Sequence, residues 1–292
     1  FGDTLVPFAW FKANEGGTDF NSRDADVFAL YPVFNFGESF SLNPFFIYGY
    51  SKQGDGAVGV RNQLSTYGEN YDDTGTGTRI APDDGLGVYW IGANVDATLG
   101  SFNLWFSGAY QGGNLDYDDA SDIDVKAFFV AGGANVPLGP ASLHGQGFYA
   151  SGDDDFDDSD AEAFFGVGGG GAGWTYYWAE IMGNGVFDEN ISTGSTTDIS
   201  NLWALNIGAT IKPMEKLSLT GDIWYAAHVE DDFTTDEKNL GVEVDLKATY
   251  QLTEGLNLDL VGAYLFADDA TSTDGDNDED PYELGARLSI SF

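Results

Sequence analysis

The sequence predicts an all-β fold, a transmembrane, antiparallel, up-and-down β-barrel. Three observations predict it. First, the last eleven residues alternate: Tyr282, Leu284, Ala286, Leu288, Ile290 and Phe292 share one face of an extended strand, and Glu283, Gly285, Arg287, Ser289 and Ser291 share the other. About ten residues, apolar outward, polar inward and ending on an aromatic, suit a strand that crosses a bilayer. Second, the connections between strand-like segments alternate between very short and long, mostly acidic ones, the asymmetry of a membrane barrel with turns at one rim and loops at the other. Third, 42% of the 292 residues are hydrophobic, yet no run approaches the ~20 apolar residues of a membrane helix.

The alternation places strands at about 4–14, 26–36, 40–51, 85–98, 101–114, 124–137, 141–151, 161–169, 173–182, 200–213, 217–228, 239–252, 256–267 and 282–292, fourteen in a single domain over 1–292. Short turns fall at Gly37-Glu38-Ser39, Leu99-Gly100, Leu138-Gly139-Pro140, Met214-Glu215-Lys216 and Thr253-Glu254-Gly255. Long loops fall at about 15–25, 52–84, 115–123, 152–160, 183–199, 229–238 and 268–281. In 239–252, Leu240, Val242, Val244, Leu246, Ala248, Tyr250 and Leu252 oppose Gly241, Glu243, Asp245, Lys247, Thr249 and Gln251. In 217–228, Leu217, Leu219, Gly221, Ile223 and Tyr225 oppose Ser218, Thr220, Asp222 and Trp224; in 85–98, Tyr89, Ile91, Ala93 and Val95 oppose Trp90, Gly92, Asn94 and Asp96. The apolar faces of these strands carry no charge, as a lipid-facing surface requires, because a mid-membrane charge costs ~2–4 kcal/mol. At 161–182 the dense glycines Gly168–Gly171 admit a second reading, an irregular or inward-folded segment in place of two strands.

Forty-eight acidic residues against 11 basic ones give a formal net charge of −37. Few cations are available to neutralise phosphates, which excludes nucleic acid as a partner, and a basic patch for anionic lipid is missing too. The charge favours cations, bound or permeating. The absence of cysteine rules out disulfides and is compatible with an oxidising compartment. The chain opens at Phe1 almost directly into a strand-like segment, as a processed form or a fragment would.

The alternating Tyr282–Phe292 strand resembles the C-terminal assembly signal of Gram-negative outer-membrane proteins, with Phe292 as its terminal aromatic. More narrowly, Lys212-Pro213-Met214-Glu215-Lys216-Leu217-Ser218-Leu219, Gly241-Val242-Glu243-Val244-Asp245-Leu246, Tyr177-Trp178-Ala179-Glu180-Ile181-Met182-Gly183 and Tyr264-Leu265-Phe266-Ala267 resemble porin-like proteins of sulfur- and metal-reducing bacteria, and loosely the alginate-export type of barrel. The resemblance implies a location in the outer membrane, in contact with its lipid, with the C-terminus periplasmic. It also implies a longer N-terminus, and so 16–18 strands in the complete barrel.

The candidate pore-lining residues are Asp96, Asp222, Glu243, Asp245, Lys247, Asp259, Glu283 and Arg287, on polar faces of the strands. A water-filled lumen tolerates such charges, which either sort ions or pair across strands. With no dense basic cluster among them, the expected function is passive diffusion of small hydrophilic solutes with a preference for cations, with no cofactor required. Loops 52–84 and 183–199 are expected to fold inward and set the limiting radius, and small outward residues such as Gly108 and Gly221 would permit close contact in a homotrimer. Trp90, Trp105 and Trp224 face inward, where they pack or stack on sugars.

Two alternatives stand beside the channel. One is a structural or adhesive barrel whose acidic loops bind Ca²⁺, with Asp153, Asp155, Asp157, Asp274, Asp276 and Asp278 as candidate ligands. Hard cations want about six to eight oxygens, and neither run has the EF-hand spacing; a merely solvated acidic loop is the simpler explanation of both. The other is a barrel hydrolase using His228 near Asp231 and Asp232, for which the sequence offers no evident nucleophile.

Overall fold

A computed structural model describes residues 4–14, 25–51, 85–116, 122–155, 158–166, 178–183, 185, 199–231, 237–272 and 279–291. Within them a single sheet holds fourteen strands. They are β1 (Phe8–Asn14), β2 (Ala25–Leu30), β3 (Phe34–Asn35), β4 (Phe40–Ser51), β5 (Gly85–Leu99), β6 (Phe102–Asp116), β7 (Ile123–Leu138), β8 (Ala141–Ala150), β9 (Asp160–Ala161), β10 (Leu202–Met214), β11 (Leu217–His228), β12 (Asn239–Thr253), β13 (Leu256–Ala267) and β14 (Tyr282–Ile290). The path runs β1-β2-β4-β5-β6-β7-β8-β10-β11-β12-β13-β14, each strand antiparallel to its neighbours. No helix among the described residues is long and apolar enough to cross a membrane. β1 and β14 end the path, and no pairing joins them among the described residues.

The fourteen strands are not the fourteen read from the alternation. The expected strand 26–36 is broken at Tyr31-Pro32 into β2 and β3, which both pair with β4. Proline has no N–H to give a ladder. The larger difference is at 161–182. Of the described residues there, only Ala161 joins a strand, and β8 pairs directly with β10, Ala150 opposite Leu202 and Tyr149 opposite Trp203. The chain leaves the wall after Ala150, turns inward, and re-enters at the same rim. There β9 runs parallel to β7 for two residues, Asp124 and Val125 opposite Asp160 and Ala161. The glycines at 168–171 lie outside the described residues; Phe164, Phe165 and Trp178 on either side of them are buried, as the inward-folded reading expects. Removing two strands at once preserves the parity, so every other strand keeps its expected direction.

The short turns fall where expected. In the β5–β6 and β12–β13 turns, Gly100 and Gly255 adopt φ of 67° and 74°, a left-handed conformation that costs glycine little. Outward from the sheet point Phe46, Tyr50, Ile91, Phe106, Tyr110, Phe128, Leu205, Ile207, Ile223, Leu246, Leu260 and Phe266, all more than a third exposed on the isolated chain. Many of these outward rings touch across strands. Phe46 meets Tyr89, Phe128 stacks on Tyr149 at 5.4 Å and Trp203 meets Tyr225 at 5.2 Å, forming an aromatic band towards the long-loop rim of the kind that marks a membrane boundary. Phe106 lies over Gly108 and Leu246 over Gly221, so these two outward notches are filled from within the chain.

Candidate functional site on the inner face

The inner face changes character halfway along the strands. Towards the long-loop rim it is apolar: Leu86, Val88 and Trp90 on β5, Ile123, Val125, Ala127 and Phe129 on β7, Phe148 on β8, Ala204 on β10 and Leu265 on β13 are all buried. Towards the short-turn rim the same faces carry Asn94 and Asp96, Asn135, His144, Thr210 and Asp259. An apolar inner face needs something to pack against. The inward segment supplies it.

That segment is fixed by aromatic contacts and by backbone hydrogen bonds to wall side chains. Phe164 stacks on Phe129 at 5.5 Å, and Phe165 meets Trp90 edge-on at 6.0 Å. Trp178 wedges between Phe148 and Trp224, at 5.2 and 5.6 Å. Each such pair contributes about 0.5–1.5 kcal/mol beyond the area buried. Among the described residues the segment forms no long ladder with the wall, and side chains satisfy several of its amides instead. Phe165 N–H donates to Gln111 Oε1 at 3.1 Å, and Trp90 Nε1–H donates to the Phe165 carbonyl at 3.0 Å. Glu243, wholly buried, accepts the N–H of Ile181 on one oxygen at 2.6 Å and of Met182 on the other at 2.8 Å. A carboxylate taking two N–H donors is a charge-assisted clamp.

The acidic run at the start of the segment is folded on itself. Asp153 accepts the N–H of Asp155 at 3.1 Å and of Glu162 at 2.9 Å, and Lys126 of β7 bonds both oxygens of Asp160 at 2.7 and 2.8 Å. Burial, then repulsion from Asp153, Asp154, Asp158 and Asp160, raises the Glu162 carboxyl above its ordinary value.

Below the segment the inner face is a polar network. His144 Nε2 lies 2.7 Å from Asp222 Oδ1, which also accepts from Asn206 Nδ2 at 3.0 Å. The pair spans two strands because Gly208 stands between them in register, and a Cβ there would overlap both partners. Asp259 accepts from Thr249 at 2.7 Å and from Arg287 at 3.3 Å. Ser107 donates to Asn94 at 2.7 Å, Ser41 to Asp96 at 3.5 Å, and Thr210 meets Thr220 at 3.0 Å.

The structure therefore places Asp96, Asp222, Glu243, Asp245, Lys247, Asp259, Glu283 and Arg287 on inner-face positions. It brings Asp222, Asp245 and Lys247 together round one cavity, and joins Asp259 to Arg287. Asp96 stands apart near the short-turn rim, beside Ser41. Glu243 differs from the rest: it is a clamp for the segment, which the strand pattern alone did not reveal. Trp90 and Trp224 face inward and pack against the segment, Trp224 also lining the cavity below it. Of the candidate calcium ligands, Asp153 and Asp155 belong to the folded acidic run, while Asp157, Asp274, Asp276 and Asp278 lie outside the described residues, as do Phe292 and the loop 52–84. Of 183–199, Ile199 is buried against the apolar core. His228 Nδ1 lies 3.2 Å from the Asn201 carbonyl. Phe164, Phe165, Trp178 and Gln111 were missed; a signal was available in Leu86, Val88 and Trp90, an apolar run on the face that a water-filled lumen should make polar.

An antiparallel sheet that is apolar outside, with a polar stretch on its inner face and a segment of its own packed there, is of the porin-like outer-membrane β-barrel class. The model of the alginate export family matches residues 21–282, and the chain belongs to that family. No curated protein matches in sequence. Among solved structures, OmpT of Vibrio cholerae is similar at 12% identity over 98% of this chain and 96% of its own, with a TM-score of 0.39. OmpF of Salmonella typhi, in complex with daunomycin, is similar at 9% identity over 98% and 95%, with a TM-score of 0.40. The siderophore receptor PirA of Acinetobacter baumannii is similar at 11% identity and a TM-score of 0.48; the match covers 83% of this chain and a third of that receptor, 33%.

Proposed function

We propose that the chain is a passive diffusion channel for small hydrophilic solutes that prefers cations, with its short-turn rim and C-terminus in the periplasm. One observation carries the reading: below the inward segment, the lumen wall presents Asp96, Asp222, Asp245 and Asp259, with Glu180 of the segment beside them. Of the nearby bases, Arg287 is already paired to Asp259 and His144 to Asp222, and Lys247 stands among the more numerous acids without an ion pair to a described residue. Fixed carboxylates in a narrow aqueous path raise the local concentration of cations and repel anions. The inward segment narrows the path at the long-loop end, and the polar network keeps the other end wet.

The family's name supports a second reading, passage of a polyanionic uronate chain. Such a polymer would need cationic side chains along its path, and this wall is acidic. Reversal potentials of the purified chain in planar bilayers under a salt gradient decide between them. Cation preference is expected. A clear anion preference would overturn the first reading in favour of the second.

A further inference from the structure

Directly below the inward segment lies a cavity between Trp178 and Glu180 of the segment, Asp222 and Trp224 of β11, and Asp245 and Lys247 of β12. We propose that it binds a primary alkylammonium, one –NH₃⁺ group on a short alkyl chain. The inference rests on the cation-preferring reading and names a solute class for the same lumen.

Asp245 carries it. Its residue is only 7% exposed, and its Oδ1 meets no donor among the described residues. A buried acceptor left without a donor keeps its full desolvation cost, so the cavity favours a ligand that brings an N–H. Asp222 cannot take that role equally well, because its Oδ1 already holds His144 and Asn206. Glu180 adds negative field from the opposite wall. A hydrated metal ion fits less well: no group of three or more metal-binding side chains forms a site among the described residues. An ammonium needs fewer oxygens and carries three donors of its own.

The two tryptophans select the remainder of the ligand. Trp178 and Trp224 meet at 70° with centroids 5.6 Å apart, giving the cavity an apolar, π-rich side next to its carboxylates. A short alkyl chain gains by leaving water there, and a cation near an indole face gains electrostatically. Lys247 lines the same cavity and forms no ion pair with a described residue, so its ammonium is the built-in competitor for the place.

Calorimetric titration of the full chain in detergent with n-butylammonium tests this, with n-butanol and tetramethylammonium as probes lacking the charge and the N–H donors. The native chain is expected to bind n-butylammonium, tetramethylammonium at least several-fold more weakly, and n-butanol not measurably. Asp245→Asn should weaken butylammonium at least about tenfold, and Lys247→Gln should tighten it. Equal affinity for n-butanol, no binding by the native chain, or unchanged affinity in Lys247→Gln together with Asp245→Asn would overturn the proposal. Cation preference in bilayers with no amine binding removes this site alone; amine binding with anion preference removes the channel reading alone.

Discussion

The two halves of this wall share their strands, register and alternation, and they differ in what the inner face meets. Near the long-loop rim, Leu86, Val88 and Trp90 of β5 are buried under Phe165 and its neighbours. A few residues further along the same strand, Asn94 and Asp96 bond to Ser107 and Ser41. The first half behaves as a protein core, where shape decides; the second behaves as a wall lining water, where hydrogen bonds can be exchanged with solvent. One sheet can therefore be plug seat and conduit at once, and the boundary is drawn by side-chain polarity and not by strand geometry.

The contrast can be broken most strongly from the core side. Phe165→Ala removes a ring buried against Trp90 and should cost about 3–5 kcal/mol, read as a lower thermal midpoint and faster proteolysis between residues 151 and 201. Next comes Glu243→Ala, which leaves the Ile181 and Met182 amides without their acceptor. A charged hydrogen bond contributes about 1.5–3 kcal/mol, so the segment should loosen and single-channel conductance should rise. Gly208→Ala acts on the polar half. Overlap with His144 and Asp222 should cost about 1–3 kcal/mol and abolish their contact without loosening the segment. Asn94→Ala, whose Ser107 partner can turn to water, should cost under about 1 kcal/mol; a loss as large as that of Phe165→Ala would mean that the lower half is also a core.

The smallest effect is one of pH. The Glu162 carboxyl is raised in the docked segment, so it holds its proton more tightly there than in the undocked chain. Its favourable contribution is present at acid pH and is lost as pH rises through the docked value. Proteolysis of the segment should therefore be slower at mildly acid pH than at neutral pH, and a Glu162→Gln chain should lose part of that dependence. An unchanged dependence assigns it to other carboxylates.

Much of this was legible in the sequence because a period of two is hard to disguise. Tyr282–Ile290, Leu240–Leu252 and Leu217–His228 reappear as β14, β12 and β11 with their faces as expected. The break at Pro32 was readable from proline chemistry and was passed over. The inward segment was harder. Phe164-Phe165 and Trp178 look like strand residues because aromatics favour strands and cores alike, and only a long-range register, β8 against β10, excludes them from the wall. Local alternation carries no such information. Glu243 has the same cause: on its strand it is one more inward acid, and its clamp depends on a partner more than sixty positions away.

Chemical accessibility along one strand tests the central claim most directly. The chain has no cysteine, so single cysteines at Val88 and Asn94, on the same face of β5 about 20 Å apart, can be compared without background. With a small charged thiol reagent, Asn94→Cys is expected to react readily from the aqueous lumen. Val88→Cys, where the native side chain is 1% exposed, is expected to stay protected until Glu243→Ala releases the segment. Equal labelling of the two cysteines in the otherwise native chain would contradict the account.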